Sequence, residues 1–528
     1  MAFLSIPGFA AVPIALDRAE RLEPEVVGDL MTTFSGKQRS GIRGRVREWR
    51  FTTTPLPPAD ARALYFALTS RPTITVSGDA LDGETVTCRA SVQAESYVLA
   101  GGEKRRAVTF TLREATPLSP VLFTFQPGDL GYTFSRASAA TYRSQAGLIT
   151  SAASGTLRDS HYALNPDSEL YERATLIEPE RTNLILHSED FSNAAWFKSP
   201  GITVSANSVT APDGNAAADT LANDGSGPNK AIYQIFTTNA SAVRYSISVW
   251  LKAGTLDKAA IGIRDNTADS WTAQTGRVIS GPGEAAVSSS GRIDITGLST
   301  TEWTRVAVSM DEVATATNTL RLILYPGGTD TATGNLYAWG AQAEAGAFAT
   351  SYIATTSATV ARSADALKYA FTAAPQAMTL YARFIEQGTL RSANSARILQ
   401  ISDSTSASTS RLLIHAPSGD SYYQIYHGEA GGQVTSTLAA APDLGDLVEL
   451  RGILYADGSV RLHQSINGAA ETSSTASSAL ALASAWDDET LNLGGVGSSF
   501  VGSAAFTHVA VLKGERTLSE CRGAAGVL

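Results

Sequence analysis

The sequence has few of the residues on which disulfide scaffolds and metal sites depend. It contains only two cysteines, Cys88 and Cys521, which lie near opposite ends of the chain. Two cysteines cannot build a disulfide framework or a metal cluster, and we interpret both as buried free thiols. The six histidines lack the spacing of metal ligands, and the motifs G-x-S-x-G, H-E-x-x-H and G-x-x-x-x-G-K-[ST] are absent. We therefore expect a protein that is not an enzyme.

Charge and long apolar runs are also scarce. Charged residues make up 17% of the chain, below the usual quarter, and small or hydroxyl residues take their place. The net charge of −9 is uneven, because residues 1–115 are slightly basic and the remainder is acidic, which disfavours a nucleic-acid partner. Pro7 and Pro13 interrupt the apolar residues 1–16, and no later run reaches the length of a membrane span. We expect no export signal and no membrane insertion.

The patterning that is present predicts a mainly β protein. A length of 528 residues predicts several domains, and a hydrophobic content of 43% lets each domain bury its own core. Short alternating strands separated by Gly- and Asp-rich turns favour antiparallel sandwiches. We predict a small amino-terminal α+β domain (a β-sandwich plus one helix), followed by two antiparallel β-sandwich or jelly-roll domains.

The predicted boundaries follow these patterns. In the amino-terminal domain, Pro57 and Pro58 open a helix, PADARALYFALTS, between predicted strands. The next stretch is rich in proline but also in Phe, Tyr and Leu, so it is a connector with short strands and not a free linker. The predicted segments are an attachment domain at 1–115, the connector at 116–185, a sandwich at 186–362 and a jelly roll at 363–528.

Two strand patterns carry the sandwich predictions. In SAVRYSISVWLKAG, alternate residues from Tyr245 to Leu251 would face one core. In LVELRGILYADGSVRLHQSING, Asp457 and Gly458 supply a hairpin turn, since those residue types tolerate positive φ. The final stretch, ERTLSECRGAA, is typical of a short terminal helix.

The stretches FSRASAATYRSQAGLI at 134–149 and LIEPERTNLILHSEDFSNAAWFKS at 176–199 closely resemble segments common in structural proteins of tailed bacteriophages. YSISVWLKAG, EWTRVAVS and LYAWGAQAEAGAFATSYIATTSATVARSAD fit the same family, so the resemblance covers roughly 125–367. It implies a virion fibre or tail component whose first sandwich is similar to carbohydrate-binding modules. The last block is similar to laminin-G and concanavalin-type jelly rolls, and the amino-terminal block looks like the small domains of distal tail rings.

These resemblances imply a structural virion component at the tail tip, made in the host cytoplasm. Its amino-terminal domain would attach it to other virion proteins, and its sandwiches would meet a host cell-surface saccharide. A homo-oligomer, trimer or hexamer, is expected because virion rings and fibres repeat one interface. Two alternatives stay open: a capsid-decorating head fibre or spike without a ligand, and a glycan-degrading tail component.

The stretch at 176–199 is expected to be an architectural joint. Asn183 would cap a turn through its side chain, and Phe191 and Trp196 would anchor the first loop of the sandwich on its core. The alternative is a ligand cleft lined by Glu178, Arg181 and Glu189.

Exposed aromatic residues near carboxylates and amides are the candidate glycan site, since sugar faces stack on rings and sugar hydroxyls bind polar groups. Trp271 leads, because it lies in a polar turn with Asp265, Asn266 and Asp269. The second candidate group is Tyr422, Tyr423 and Trp486. Loop aromatics packed against the sandwich are the alternative. No cofactor is expected, although Ca²⁺ near Asp487 and Asp488 is an alternative to a solvated turn.

The segment KQRSGIRGRVREWR at 37–50 concentrates basic residues. Its glycines and alternation predict a β-hairpin with arginines on one face. Arginine pairs well with carboxylates across subunit interfaces, so we favour docking on an acidic neighbour over nucleic acid. The predicted attachment interface is Arg39, Arg43, Arg45 and Arg47.

Overall fold

The structure is a computed structural model. From residue 132 to 525 it describes the chain except for ten short segments: 239–242, 312–317, 372–376, 389–395, 404–409, 418–421, 430–431, 439–441, 481–488 and 495–502. Before residue 132 it describes the strands given below and residues 54, 56, 60, 61, 64 and 68. The chain divides into two compact units, Met1–Val121 and Leu122–Leu528.

The first unit contains one sheet of six strands, in the order β1-β2-β5-β8-β7-β6, and a separate pair, β3-β4. Its strands are β1 (Phe3–Leu4), β2 (Ile14–Val27), β3 (Leu30–Thr32), β4 (Gln38–Ser40), β5 (Gly44–Thr53), β6 (Ile74–Ser77), β7 (Thr85–Ala100) and β8 (Glu103–Glu114). Ala61, Leu64 and Leu68 are helical and buried, which supports the predicted helix. Phe51 and Phe110, in two of the sequence-predicted strands, are fully buried, with ring centroids 5.6 Å apart.

The predicted hairpin within 37–50 is wrong. β4 pairs with β3, whereas β5 pairs with β2 and β8, so the two halves of the basic segment have different partners. Alternation predicted the strands but not their pairing, because non-local strand pairing carries no short-range signal. The side chains of Arg39, Arg43, Arg45 and Arg47 lie outside the described residues, and the predicted attachment interface stays a prediction.

The second unit begins with the strands of the predicted connector. These are β9 (Val121–Phe125), β10 (Tyr132–Ser135), β11 (Ala140–Arg143), β12 (Ile149–Ala152), β13 (His161–Asn165), β14 (Leu170–Ile177) and β15 (Arg181–Asn183). The next thirteen strands form the first sandwich: β16 (Phe197–Lys198), β17 (Ile202–Val209), β18 (Ala218–Asp224), β19 (Ile232–Thr237), β20 (Tyr245–Ala253), β21 (Ala259–Asp265), β22 (Ser270–Trp271), β23 (Gln274–Ser280), β24 (Glu284–Val287), β25 (Ile293–Thr296), β26 (Thr304–Met310), β27 (Thr319–Pro326) and β28 (Thr333–Ala345).

The remaining elements complete the jelly roll. They are β29 (Val360–Arg362), β30 (Ala366–Phe371), β31 (Met378–Glu386), β32 (Ala396–Asp403), β33 (Ser410–Ala416), β34 (Gln424–Glu429), β35 (Gly432–Thr437), β36 (Leu447–Leu454), β37 (Val460–Ile466), β38 (Thr472–Ser473), β39 (Glu489–Leu493), β40 (Ala504–Lys513) and the helix α1 (Leu518–Ala525). The predicted Asp457-Gly458 turn joins β36 to β37, with Gly458 at a φ of 76°.

The connector belongs to the jelly roll. One sheet of the jelly roll runs β10-β30-β39-β32-β33-β34-β35, and the other runs β13-β14-β40-β31-β36-β37-β38, with β9 also paired to β40. Strands that precede the first sandwich in the sequence and strands that follow it therefore lie in the same two sheets. Residues 184–359 form an inserted sandwich, and β15 pairs with β29 where the chain leaves and re-enters the jelly roll.

The inserted sandwich has two antiparallel sheets and its own core. We call β16-β19-β27-β21-β25-β24, with β22 against β21, the front sheet, and β17-β18-β28-β20-β26-β23 the back sheet. The alternation predicted in β20 is confirmed, since Tyr245, Ile247, Val249 and Leu251 lie in the core. Trp250 points outward from the back sheet and packs with Trp339 and Tyr352 in a separate cluster. The fold is thus mainly antiparallel β, as predicted from the sequence.

A buried ion network joins the chain segments that precede and follow the insertion. Arg158 binds both Glu178, at 2.6 Å, and Asp365. Arg136 reaches Asp365 at 3.0 Å, and Arg362 reaches Glu178 at 2.8 Å. All five side chains are almost fully buried. Because buried charges are tolerated only when each is paired and hydrogen-bonded, this set fixes one arrangement of the segments that carry it.

The joint predicted at 176–199 is confirmed in its details. Asn183 is fully buried, and its Oδ1 accepts hydrogen bonds from the backbone N–H groups of Ile185 and Ala343 at 3.0 and 3.1 Å. Phe191 and Trp196 lie in the core of the insertion, with ring centroids 4.6 Å apart. The conspicuous residues of this stretch therefore hold the insertion in place.

Candidate functional site

The outer face of the front sheet carries a row of large apolar side chains, of which Phe197 is exposed, Tyr233 and Trp271 are half-buried and Ile323 is buried. Phe197 on β16 is paired across the sheet with Tyr233 on β19. Tyr233 is paired in turn with Ile323 on β27, and Ile323 with Gly262 on β21. The ring of Trp271 takes the place of the missing side chain at Gly262. We call Phe197, Tyr233, Ile323 and Trp271 the apolar row; four strands at a spacing of about 4.8 Å make it about 14 Å long.

Local sequence explains why the row faces outward. In β19 the inward residues Ile232, Gln234 and Phe236 are buried, and the alternate residues Tyr233 and Ile235 are the ones left at the surface. A β-strand places successive side chains on opposite faces, so this strand is apolar on both. Phe197 remains 49% exposed, although its ring centroid is 4.5 Å from that of Tyr233.

Trp271 is half-buried, because it lies flat on the sheet and does not project from a loop. A Cβ added at Gly262 would be 2.8 Å from Trp271 Cζ3, so only glycine leaves room for the ring. The centroid of the ring is 6.5 Å from that of Tyr325, whose pKa is raised, chiefly by burial. The guanidinium of Arg292 is 5.2 Å from the centroid of Trp271 and 5.1 Å from that of Tyr325. The predicted aromatic therefore sits within a larger cluster of rings and arginines.

A second row of residues runs beside the apolar row. Ile235, Arg321 and Arg264 are paired across β19, β27 and β21. Arg264 binds Asp269 at 3.1 Å, and Arg321 lies 5.3 Å from the Tyr233 ring centroid. The face therefore combines apolar rings with charged hydrogen-bond donors, which is the mixture that orients a polar ligand with apolar faces.

Two of the predicted polar residues close the turn between β21 and β22. Asp265 accepts hydrogen bonds from the backbone N–H groups of Thr267 and Ala268, at 2.7 and 2.8 Å. Asn266 donates to Thr319 at 3.0 Å and accepts from Arg321. These side chains thus position Trp271 and Arg321, whereas the carboxylate of Asp269 remains largely exposed at the edge of the face.

Of the second predicted group, Tyr422 and Tyr423 lie among the described residues. Tyr423 is fully buried in the jelly-roll core, where its hydroxyl donates to Glu386, so the expectation of an accessible ring at this position is wrong. Tyr423 lies just before β34, and the sequence did not indicate that its side chain enters the core. Tyr422 is partly exposed. Trp486, Asp487 and Asp488 lie outside the described residues.

Sequence reasoning missed Phe197, Tyr233, Tyr325 and the arginines of the front sheet. The signal for Tyr233 was present in AIYQIF, where apolar residues occupy both alternating sets. Phe197 and Gly262 could not be found in this way, because their role depends on the cross-strand pairing of distant segments.

In the described segments, no group of three or more His, Cys, Asp or Glu side chains is arranged to hold a metal ion. No helix in the described part of the chain is long and apolar enough to cross a membrane. The alternative was a ligand cleft lined by Glu178, Arg181 and Glu189. In the structure the Glu178 carboxylate is already bound by Arg158, Arg362 and Ser351, so it is not free to bind a ligand.

Comparison with known proteins gives structural neighbours only. No family model matches the sequence, and no curated protein matches it. The LG1-3 region of the laminin alpha2 chain is 11% identical, with 53% of this chain and 67% of that chain covered and a TM-score of 0.22. The mouse laminin alpha1 domains LG4-5 are 12% identical, with 54% and 88% covered and a TM-score of 0.19. The assignment to antiparallel β-sandwich and jelly-roll domains rests on the sheet topology described above.

Proposed function

We propose that this chain is a non-enzymatic virion component that binds a saccharide on the outer face of the front sheet. The observation that carries the proposal is the apolar row, in which three rings lie across four strands beside a row of arginines. Aromatic faces stack on the apolar faces of sugar rings, while guanidinium and carboxylate groups bind hydroxyls. A row about 14 Å long matches a short oligosaccharide better than a single sugar.

The proposal includes no catalysis. Glycoside hydrolysis generally needs two carboxyl groups placed on either side of the scissile bond. At the edge of the apolar row, Asp265 is committed to its turn and Asp269 is paired with Arg264, which favours a binding role.

Placement in a virion, at the tail tip, is supported by the resemblance of residues 125–367 to phage structural proteins. The amino-terminal unit would attach the chain to other virion proteins, and a trimer or hexamer would present many copies of the saccharide site. Many copies raise the effective concentration at a cell surface, so weak single sites suffice for adsorption.

Two experiments test the proposal. The purified chain on a glycan array should bind a set of host surface glycans without releasing reducing sugar from them. Release of reducing sugar would favour a glycan-degrading component, and no binding on any array would contradict the saccharide role. Deletion of residues 1–115 should leave a folded remainder that keeps β9 and does not join particles; normal incorporation of that protein would contradict the attachment role.

A further inference from the structure

A cavity of about 320 Å³ lies between the jelly roll and the back sheet of the insertion. The connector strands β11 and β13 form one wall, and Trp250 and Arg305 of the back sheet form another. The loop at 444–446 closes a third side. Its volume falls in the range of small-molecule sites. It lies on the opposite sheet of the sandwich from the apolar row, so it is a separate site.

Two arginines of the cavity, Arg143 and Arg305, have no carboxylate at ion-pair distance among the described residues, although Glu344 and Glu178 lie close enough to favour the charged form of Arg305. Arg305 is 7% exposed, and its guanidinium lies 4.3 Å from the Trp250 ring centroid. One nitrogen, Nη2, donates to Ser248 and to the carbonyl of Thr350, but Nε is buried and has no acceptor among the described residues. Arg143 stacks on the ring of Tyr171 at 3.6 Å. Burial lowers the pKa of Arg143 and lowers that of Arg305 to about 10.

The carboxylates that border the cavity are already committed. Glu178 binds Arg158 and Arg362 at 2.6 and 2.8 Å. Asp446 accepts from the side-chain amide of Asn467 at 2.8 Å and from the backbone N–H of Asp443 at 2.7 Å. Neither one neutralises Arg143 or Arg305 at ion-pair distance. In a chain whose net charge is −9, the cavity is therefore a local site for an anion.

The remaining lining favours a saccharide over a simple anion. Tyr142, Tyr162 and Tyr171 supply rings, and Tyr171 is 37% exposed. His161 accepts from the backbone N–H of Arg143 through Nδ1 at 3.2 Å, which leaves Nε2 as the donor of a neutral imidazole. Ser280, Thr350 and Gln387 add polar groups to the same cavity. Rings together with several neutral donors and acceptors suit a hydroxyl-bearing ring.

We propose that this cavity binds a carboxylate-bearing sugar unit of an acidic saccharide, with Arg143 and Arg305 as the anion-binding groups. The site does not depend on saccharide binding at the apolar row, and either site can fail without the other. An acidic sugar would supply the charge that Arg143 and Arg305 lack and a ring for the tyrosines.

The test uses the full chain and isothermal titration with three probes: sodium glucuronate, methyl glucoside and sodium acetate. Glucuronate is expected to bind more tightly than either of the others. Arg143→Gln should weaken glucuronate binding by roughly tenfold or more, which is the scale of one hydrogen bond to a charged group. Arg173→Gln is the matched control, because Arg173 on β14 is half-exposed and pairs with Asp159 outside the cavity.

Four outcomes would overturn the proposal. Acetate binding as tight as glucuronate binding would mean an anion site that takes no sugar. Equal binding of methyl glucoside would mean that the arginines play no part. Absence of glucuronate binding, or equal losses in Arg143→Gln and Arg173→Gln, would remove the site itself. Arg305→Met serves as a second variant, and its folding is checked by its melting curve before it is titrated.

Discussion

Asn183 and Val360 face each other as paired residues in the short β15–β29 ladder, although 176 residues separate them in the sequence. The chain leaves the jelly roll at the first residue and returns to it at the second. The side-chain amide of Asn183 also donates to the carbonyl of Ile353 at 2.8 Å, which bonds the exit to the segment that leads to the return. The inserted sandwich is therefore attached through two adjacent strands, as one unit placed within another.

This pairing predicts that the insertion can be removed. Replacing residues 184–359 by an Asn-Gly turn should leave a folded jelly roll, since antiparallel strands in register need only a two-residue turn to become a hairpin. The melting curve and amide-exchange protection of β31 and β40 would check it. Loss of all protection in those central strands would contradict the domain description.

The matched control is residues 363–528 alone. This fragment lacks β10, β13 and β14 and leaves Asp365 without Arg136 and Arg158. It should be unfolded or aggregated, although the sequence predicts a separate jelly-roll domain with these bounds. A cooperative, protected fragment would show that the connector strands are dispensable.

Glu178→Gln should destabilise the protein severely. The carboxylate binds Arg158 and Arg362 in a fully buried network, and removing one partner of a buried pair typically costs about 3–5 kcal/mol because charges are left unpaired. Asp159→Asn is the control, since its pair with Arg173 is partly exposed and should be worth at most about 1 kcal/mol. Denaturant unfolding of both variants would measure the difference, and equal losses would contradict the structural importance of the network.

Stability should fall as the pH falls below neutrality. Burial is the largest cause of the lowered pKa values of four histidines. The pKa of His161 is lowered to about 3, and the pKa values of His415, His463 and His508 are lowered to about 4. An unfolded histidine has a pKa of about 6.5. Between that pH and the lower pKa of the folded state, the unfolded state therefore binds more protons than the folded state, and acidification favours unfolding. Glu178 acts in the same direction at lower pH: burial raises its pKa, but Arg362, Arg158 and Ser351 outweigh burial and hold the pKa well below its usual range.

Melting temperatures between pH 7 and pH 4 would measure this dependence. His161→Gln should flatten the curve, since one group that must remain neutral in the fold has been removed. A stability that rises on acidification, or an unchanged slope in that variant, would contradict the assignment of His161 as a neutral, buried group.

The fold class, most strands and the joint could be predicted from the sequence, because alternation and turn residues are local signals. Tyr245 to Leu251 and the Asp457-Gly458 turn show this directly. The insertion could not be predicted, since it depends on β10 and β14 pairing with strands more than two hundred residues away. Trp271 was found as a lone aromatic, but Tyr233 and Phe197 fall into the same row only through the register of the front sheet.

The most direct test of saccharide binding at the apolar row compares Tyr233→Ala and Trp271→Ala with Tyr337→Ala. Tyr337 is the control because it is a half-buried tyrosine on the back sheet of the same sandwich, contacted by Lys252. Each ring contact should contribute on the order of 1 kcal/mol, so each front-sheet variant should bind an array-selected oligosaccharide roughly fivefold more weakly. The control should bind as the unaltered protein does. Equal affinities in all three variants, with all three folded by their melting curves, would contradict the claim that the front sheet is the saccharide-binding face.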